Sequence, residues 1–231
     1  MKKYFEKHET LFSILLIIIY VVVNSYCMKN FGYTSYISTI INTILSILVI
    51  TLMIILKRVK YYGITKVNNI KKCLFFIPLL LIISVNLWNG ININNTSSEI
   101  LFRFLTMINI GFLEEVIFRG FLFKMMAKDN IKSAIIVSSL TFGIGHIVNL
   151  LNGAELIPTL LQICYAISLG YLFVTILIKS KSLIPCIITH ILINFLSIFN
   201  VDNTNMMYIT SIFLVVISII YSFYLNKFIK D

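Results

Sequence analysis

Apolar stretches long enough to cross a bilayer recur along the whole chain, and they constrain the fold more than any other feature. They fall at about 10–27, 36–56, 73–88, 99–124, 132–150, 158–178, 183–199 and 207–225. A bilayer's hydrocarbon core takes about 20 helical residues. Most of these runs lack the alternation of a strand, and an open sheet edge cannot survive in lipid because its backbone would stay unpaired. The pattern predicts an all-α, polytopic membrane bundle of about eight transmembrane helices, a single integral membrane domain over 1–231. Composition agrees: 59% of the 231 residues are hydrophobic and 12% are charged, half the charge of a typical soluble domain at about 25%. Eight spans would use roughly 160 residues, which leaves connecting loops and excludes a separate soluble domain.

The net charge of +10 is distributed as short clusters between the apolar runs. It forms no basic stripe and no nucleic-acid motif, so nucleic acid is not an expected partner. Lys2, Lys3 and Lys7 precede the first run. Lys57, Arg58, Lys60, Lys66, Lys71 and Lys72 follow the second. Lys124, Lys128 and Lys132 surround the fourth loop, Lys179 and Lys181 the sixth, and Lys227 and Lys230 the C-terminal tail. The alternate loops hold Lys29 alone, with no Lys or Arg in 89–98, 151–157 or 200–206. Eight spans with both termini cytoplasmic satisfy the positive-inside rule at every loop. The location expected is the cell membrane, multi-pass.

The N-terminus superficially resembles a signal peptide, since three lysines precede the apolar Leu11–Val23. The bulky Tyr26 spoils a cleavage site after it, including a lipoprotein-type site before Cys27, so the segment is expected to be a retained first helix. Cys27, Cys73, Cys164 and Cys186 form no CxxC pair. They read as buried thiols acting as small hydrophobes.

Glu114 and Glu115 lie inside the fourth run, between Ile110-Gly111-Phe112-Leu113 and Val116-Ile117-Phe118. A charge at mid-bilayer costs about 2.5–3.5 kcal/mol on insertion scales, the favourable contribution of roughly six leucines. Such residues face a bundle interior or a cavity and point to function. Arg119 follows Glu115 by four residues, so the two stack on one helix face as an internal ion pair. Glu114, rotated about 100° away, faces a different space. Arg103, near the outer end, is placed to snorkel. His146, His190 and Asn194 are the other polar residues that lipid would not tolerate, and the last two share a helix face. Counted from Lys128, Lys132 and Lys181, these four side chains stand roughly 21, 21, 14 and 20 Å above the basic anchors. That common depth is what a shared buried site requires.

A carboxylate and an imidazole together deprotonate water for attack on a carbonyl. A second imidazole and a carboxamide donate hydrogen bonds to the developing oxyanion. The same set, as Glu114, His146 and His190, is also a zinc-ligand combination with water in the fourth position. No HExxH and no GxSxG motif decides between these.

The residues carry a family resemblance. Glu114-Glu115-Val116-Ile117-Phe118-Arg119 resembles the EExxxR motif of the CPBP intramembrane proteases. Phe142-Gly143-Ile144-Gly145-His146 resembles their FxxxH motif, and His190-Ile191-Leu192-Ile193-Asn194 their HxxxN motif. The family includes the type II CAAX prenyl endopeptidases and the bacterial Abi group of bacteriocin-processing and immunity proteins. The likeness covers roughly 101–200, a motif-bearing catalytic core. It implies an intramembrane endopeptidase, commonly labelled a metalloprotease although a metal-free route has been argued. It implies water activation by Glu114 and His146, an oxyanion hole from His190 and Asn194, and a site-orienting role for Glu115 and Arg119. Zinc is the one cofactor it suggests, and the expected partners are the lipid bilayer and a membrane-associated peptide or protein substrate. Bacteriocin maturation and self-immunity are settings the resemblance offers. The alternatives are a non-catalytic bacteriocin immunity protein and a proton-coupled transporter, although no repeat with broken helices supports the latter.

Overall fold

A computed structural model describes residues 2–67 and 77–229, and among them every regular element is helical. Helix α1 (Lys2–Lys7) leads into α2 (Glu9–Phe31), and α3 (Tyr36–Ile55) returns beside it. The run expected at 73–88 is described from residue 77 onward, as α4 (Ile77–Ser84) closed by a 3₁₀ turn over Val85–Leu87. Its first residues, with Cys73, Lys71 and Lys72, lie outside the described residues. Helix α5 (Ser97–Glu115) continues through a π-helical segment (Val116–Phe123) into α6 (Lys124–Met126). Then come α7 (Ile131–Gly145), the short α8 (Val148–Leu151), α9 (Leu156–Ser180), α10 (Ile184–Leu196) with a 3₁₀ turn (Ser197–Phe199), and α11 (Thr204–Phe228).

Within the described residues each apolar run thus becomes helical. Among the described residues five helices are long and apolar enough to cross a membrane: Glu9–Phe31, Tyr36–Ile55, Ile131–Leu151, Leu156–Ser180 and Thr204–Phe228. Ile77–Leu87 and Ile184–Phe199 are apolar but shorter. The rod from Ser97 to Met126 holds Glu99, Arg103, Glu114, Glu115, Arg119 and Lys124, so its composition alone does not mark it as a span. Cys27 and Cys186 are buried as expected, whereas Cys164 is exposed on α9.

Local chemistry sets where the rods begin. Thr96 caps α5 in a reciprocal capping box: its hydroxyl accepts from the Glu99 amide, and the Glu99 carboxylate accepts from the Thr96 amide at 2.8 Å. Asn130 and Asn203 cap α7 and α11 singly, each side-chain oxygen accepting an amide at 3.0 Å.

The loops sort to two ends of the bundle. At one end Arg58 pairs with Glu6 at 2.8 Å and also with Glu9, which Lys128 contacts in turn. Tyr61 donates to the Lys124 carbonyl at 3.2 Å, and Thr65 to the Lys181 carbonyl at 3.0 Å. At the other end Ser25 donates to Asn152 at 2.9 Å, Asn89 to the Val201 carbonyl at 3.0 Å, and the Asn92 amide to the Phe199 carbonyl at 2.9 Å. These contacts gather the basic segments around Arg58, Lys124, Lys128 and Lys181 at one end and the neutral segments around Asn89, Asn152 and Val201 at the other.

Two close helix approaches bring the polar motifs together. A Cβ on Gly111 would stand 2.7 Å from Ile191 Cγ1, so α5 and α10 meet nearly backbone to backbone. A Cβ on Gly143 would stand 2.3 Å from Ile167 Cγ1 and 2.8 Å from the Ile167 nitrogen, which sets the α7–α9 crossing. Small residues at such crossings allow the tight packing that membrane helices depend on.

Candidate active site

Glu115 and Arg119 form the ion pair that their spacing predicts, Arg119 Nη1 donating to Glu115 Oε1 at 3.1 Å with both side chains fully buried. The pair sits at the start of the π segment, all eight of whose residues are buried. Helices of this wider kind occur mostly as short segments at functional sites. The Arg119 Nε and Nη2 atoms have no hydrogen-bond acceptor among the described residues. They are accommodated by rings: the guanidinium carbon lies 4.0 Å from the Phe142 ring centre and 5.7 Å from that of Phe173. Cation–π attraction of this kind is strongest where water is excluded.

His190 ties this buried pair to the second glutamate. Its Nδ1–H donates to Glu115 Oε1 at 2.9 Å, because an ionised carboxylate can only accept. Its Nε2 lies 3.2 Å from Glu114 Oε2. That contact is ionic in distance but not aligned as a hydrogen bond, so Glu114 Oε2 has no formal donor. The other oxygen of Glu114 accepts from the Tyr20 hydroxyl of α2.

Glu114, Tyr20, His146 and Asn194 line one cavity of about 470 Å³. His146 closes α7 as its C-cap. Its Nδ1–H donates to the Phe142 carbonyl at 3.1 Å, which leaves Nε2 with a free lone pair. Phe142 separates the two histidines, edge-on to both at ring-centre distances of 5.3 and 5.8 Å. Asn194 lines the cavity, and its backbone carbonyl accepts from Arg103 Nη2 at 2.9 Å and from the Ser197 hydroxyl at 2.8 Å.

The four sequence-derived groups therefore meet, with His190 standing behind Glu114 rather than in the cavity wall. Two participants escaped the sequence. Tyr20 is one tyrosine among twelve in the chain, and its partner is 94 positions away. Arg103, read as a residue that snorkels outward, turns inward to the end of α10, because the Asn194 carbonyl and the Ser197 hydroxyl offer acceptors there.

The zinc reading can be tested against this arrangement. Among the described residues no three His, Cys, Asp or Glu side chains come together in a way that could hold a metal ion. Of the proposed ligands, His190 directs one ring nitrogen at Glu115 and the other at Glu114. The Glu114–His146–His190 set, as placed, does not fit a zinc centre.

Comparison with known families bears on the same stretch of chain. A family model described as Type II CAAX prenyl endopeptidase Rce1-like matches residues 96–196, from the cap of α5 to the end of α10. Over this segment the chain is similar to the type II CAAX prenyl endopeptidases. That family is one of proteases, and among the described residues five helices are long and apolar enough to cross a membrane, as a multi-pass membrane protein requires. No curated protein and no solved structure gives a significant match.

Proposed function

We propose that this chain is an intramembrane endopeptidase that hydrolyses peptide bonds of membrane-associated peptides or proteins, in a bundle of eight spans with both termini cytoplasmic. The observation that carries the reading is the convergence of Glu114, His146 and Asn194 on one cavity, with His190 in contact with Glu114. A water in that cavity gives up a proton to the Glu114–His146 pair and attacks the peptide carbonyl carbon. His146 suits the role because its Nδ1 proton is engaged by the Phe142 carbonyl and its Nε2 is left as an acceptor. The oxyanion that forms is met by the Asn194 carboxamide, and by the Nε2–H of His190 once Glu114, which that nitrogen faces in the resting site, has taken up the proton. The C–N bond then breaks, and the abstracted proton passes to the departing amine, leaving one new carboxylate and one new amino terminus.

The charges of the cluster favour this division. Two carboxyl groups, Glu114 and Glu115, meet one guanidinium, Arg119, and the two ring nitrogens of His190, so acidic and basic groups are matched within the buried cluster. Glu115 and Arg119 then act by holding His190 in register, and Tyr20 by holding Glu114. No step is routed through zinc. The wider setting is processing of a membrane-associated peptide, with bacteriocin maturation or self-immunity as instances.

The test compares membrane peptides in cells carrying the wild-type chain with those carrying Glu114→Ala or His146→Ala. Both variants should accumulate as folded protein and leave the substrate intact. Full cleavage by either removes the assignment. Activity of the purified enzyme should also survive a strong chelator, with no stoichiometric zinc found by elemental analysis.

A further inference from the structure

The cavity has a direction. From Glu114 and His146 it runs past Asn24, Asn86, Asn89, Asn149 and Asn152 to the 200–204 loop. Those residues belong to the end of the bundle where Ser25 meets Asn152 and Asn89 meets Val201. Among the described residues, none from 57–67, 124–132 or 179–183 contributes to the lining. Those excluded segments form the opposite end, which holds Lys57, Arg58, Lys60, Lys66, Lys124, Lys128, Lys132, Lys179 and Lys181. Among the described residues, the end with the cavity mouth has Lys29 and Arg103 as its only cations. Short loops rich in Lys and Arg stay in the cytoplasm.

We infer that the catalytic cavity opens on the extracytoplasmic face, and that the enzyme takes peptide segments presented from outside the membrane. The inference rests on the endopeptidase reading of the site and adds the side from which substrate and water arrive. The rim suits such a ligand. Asparagine side chains offer donors and acceptors together, matching the N–H and C=O groups of an extended peptide without demanding a particular charge. The substrate class is therefore a secreted peptide, or the external segment of a membrane-anchored one, with its scissile bond lowered from the outer surface to the level of Glu114.

The experiment uses the full chain with Cys27, Cys73, Cys164 and Cys186 replaced by alanine. Asp202, exposed at the cavity mouth, and Lys132, exposed at the basic end, are each changed to cysteine in that background. A bulky, membrane-impermeant maleimide added to intact cells should label Asp202→Cys and spare Lys132→Cys. Inverted vesicles should give the reverse, and the opposite pattern overturns the inference. Labelling Asp202→Cys should also cut cleavage at least tenfold, whereas undiminished cleavage by the labelled protein rules out this mouth as the entry. Should the cysteine-free chain fail to accumulate, reporters fused after Asp231 in the native chain replace the labelling. A fluorescent protein that matures only in the cytoplasm should light up, and activity from a phosphatase that works only outside overturns the inference. Adding Glu114→Ala to the labelling variants separates the two claims. If that chain still cleaves, the catalytic assignment falls while the labelling pattern continues to report the side.

Discussion

Glu114 and Glu115 are adjacent in sequence yet occupy two different media. Glu115 lies behind the wall of the cavity, fully buried, with its charge met by Arg119 and the Nδ1–H of His190. Glu114 forms the wall itself, with 12% of its side chain exposed and with Tyr20 and His190 as neighbours. The region behind solves the cost of an intramembrane carboxylate by pairing, the region in front by access to a polar cavity. A charge neutralised by fixed partners orients other groups, whereas one that meets solvent can exchange a proton. The contrast assigns structure to the rear network and chemistry to the front.

The sharpest way to break that contrast is to remove each acid's function separately. Glu114→Ala should reduce turnover by about 10²–10⁴-fold, the range for a positioned general base, with an unchanged thermal unfolding midpoint in detergent. A large loss of stability instead would make Glu114 part of the rear network. Arg119→Leu should do the opposite first, lowering stability by about 3–5 kcal/mol because Glu115 is left buried and uncompensated. The double variant Glu115→Leu/Arg119→Leu should recover most of that stability, since no charge remains stranded, without recovering activity, since His190 has lost its acceptor. Recovered activity in the double variant would show that the rear network does not orient the site.

A smaller effect is expected where the front is held in place. Gly143→Ala puts a methyl group against the backbone of Ile167 and Ile163. The α7–α9 crossing must open, at a cost of about 1–3 kcal/mol, and His146 one turn above should shift with it. Turnover should fall more steeply than stability, as measured by cleavage rate and unfolding midpoint on the same preparation. Equal losses would mean that the crossing supports the bundle alone.

The unequal legibility of the two regions has the same physical origin. The helical rods are visible because apolar length is a local property: the 73–88 run from residue 77 onward and the 99–124 and 183–199 runs reappear as helices even though short length or charge keeps each from standing out as a full span. The Glu115–Arg119 pair is visible because helix geometry fixes it within four residues. The π segment that begins one residue after Glu115 is not, since nothing in Val116–Phe123 distinguishes it from an ordinary apolar turn. Contacts between distant rods are the least readable. That His190 bridges both glutamates depends on the α5–α10 approach at Gly111, and the inward turn of Arg103 depends on carbonyls freed at the end of α10. The family signature covers 96–196, so it carries no information about a residue contributed by α2.

Tyr20 is that residue, and it offers the finest test of the front. Its hydroxyl is buried, donates to Glu114, and comes from a helix outside the matched segment. In Tyr20→Phe the ring still fills its place against α5, and only the donor is lost. A net hydrogen bond is worth about 1 kcal/mol, so kcat should fall about fivefold with KM unchanged, because water in the cavity replaces the donor but does not fix the carboxylate. In the Glu114→Ala background the same substitution should have no further effect on the residual rate, since the group it positions is gone. A KM change would reassign Tyr20 to substrate contact. A fivefold loss that persists without Glu114 would mean that the hydroxyl acts on the reacting bond directly, and the front of the site would then contain one more catalytic group than its motifs supply.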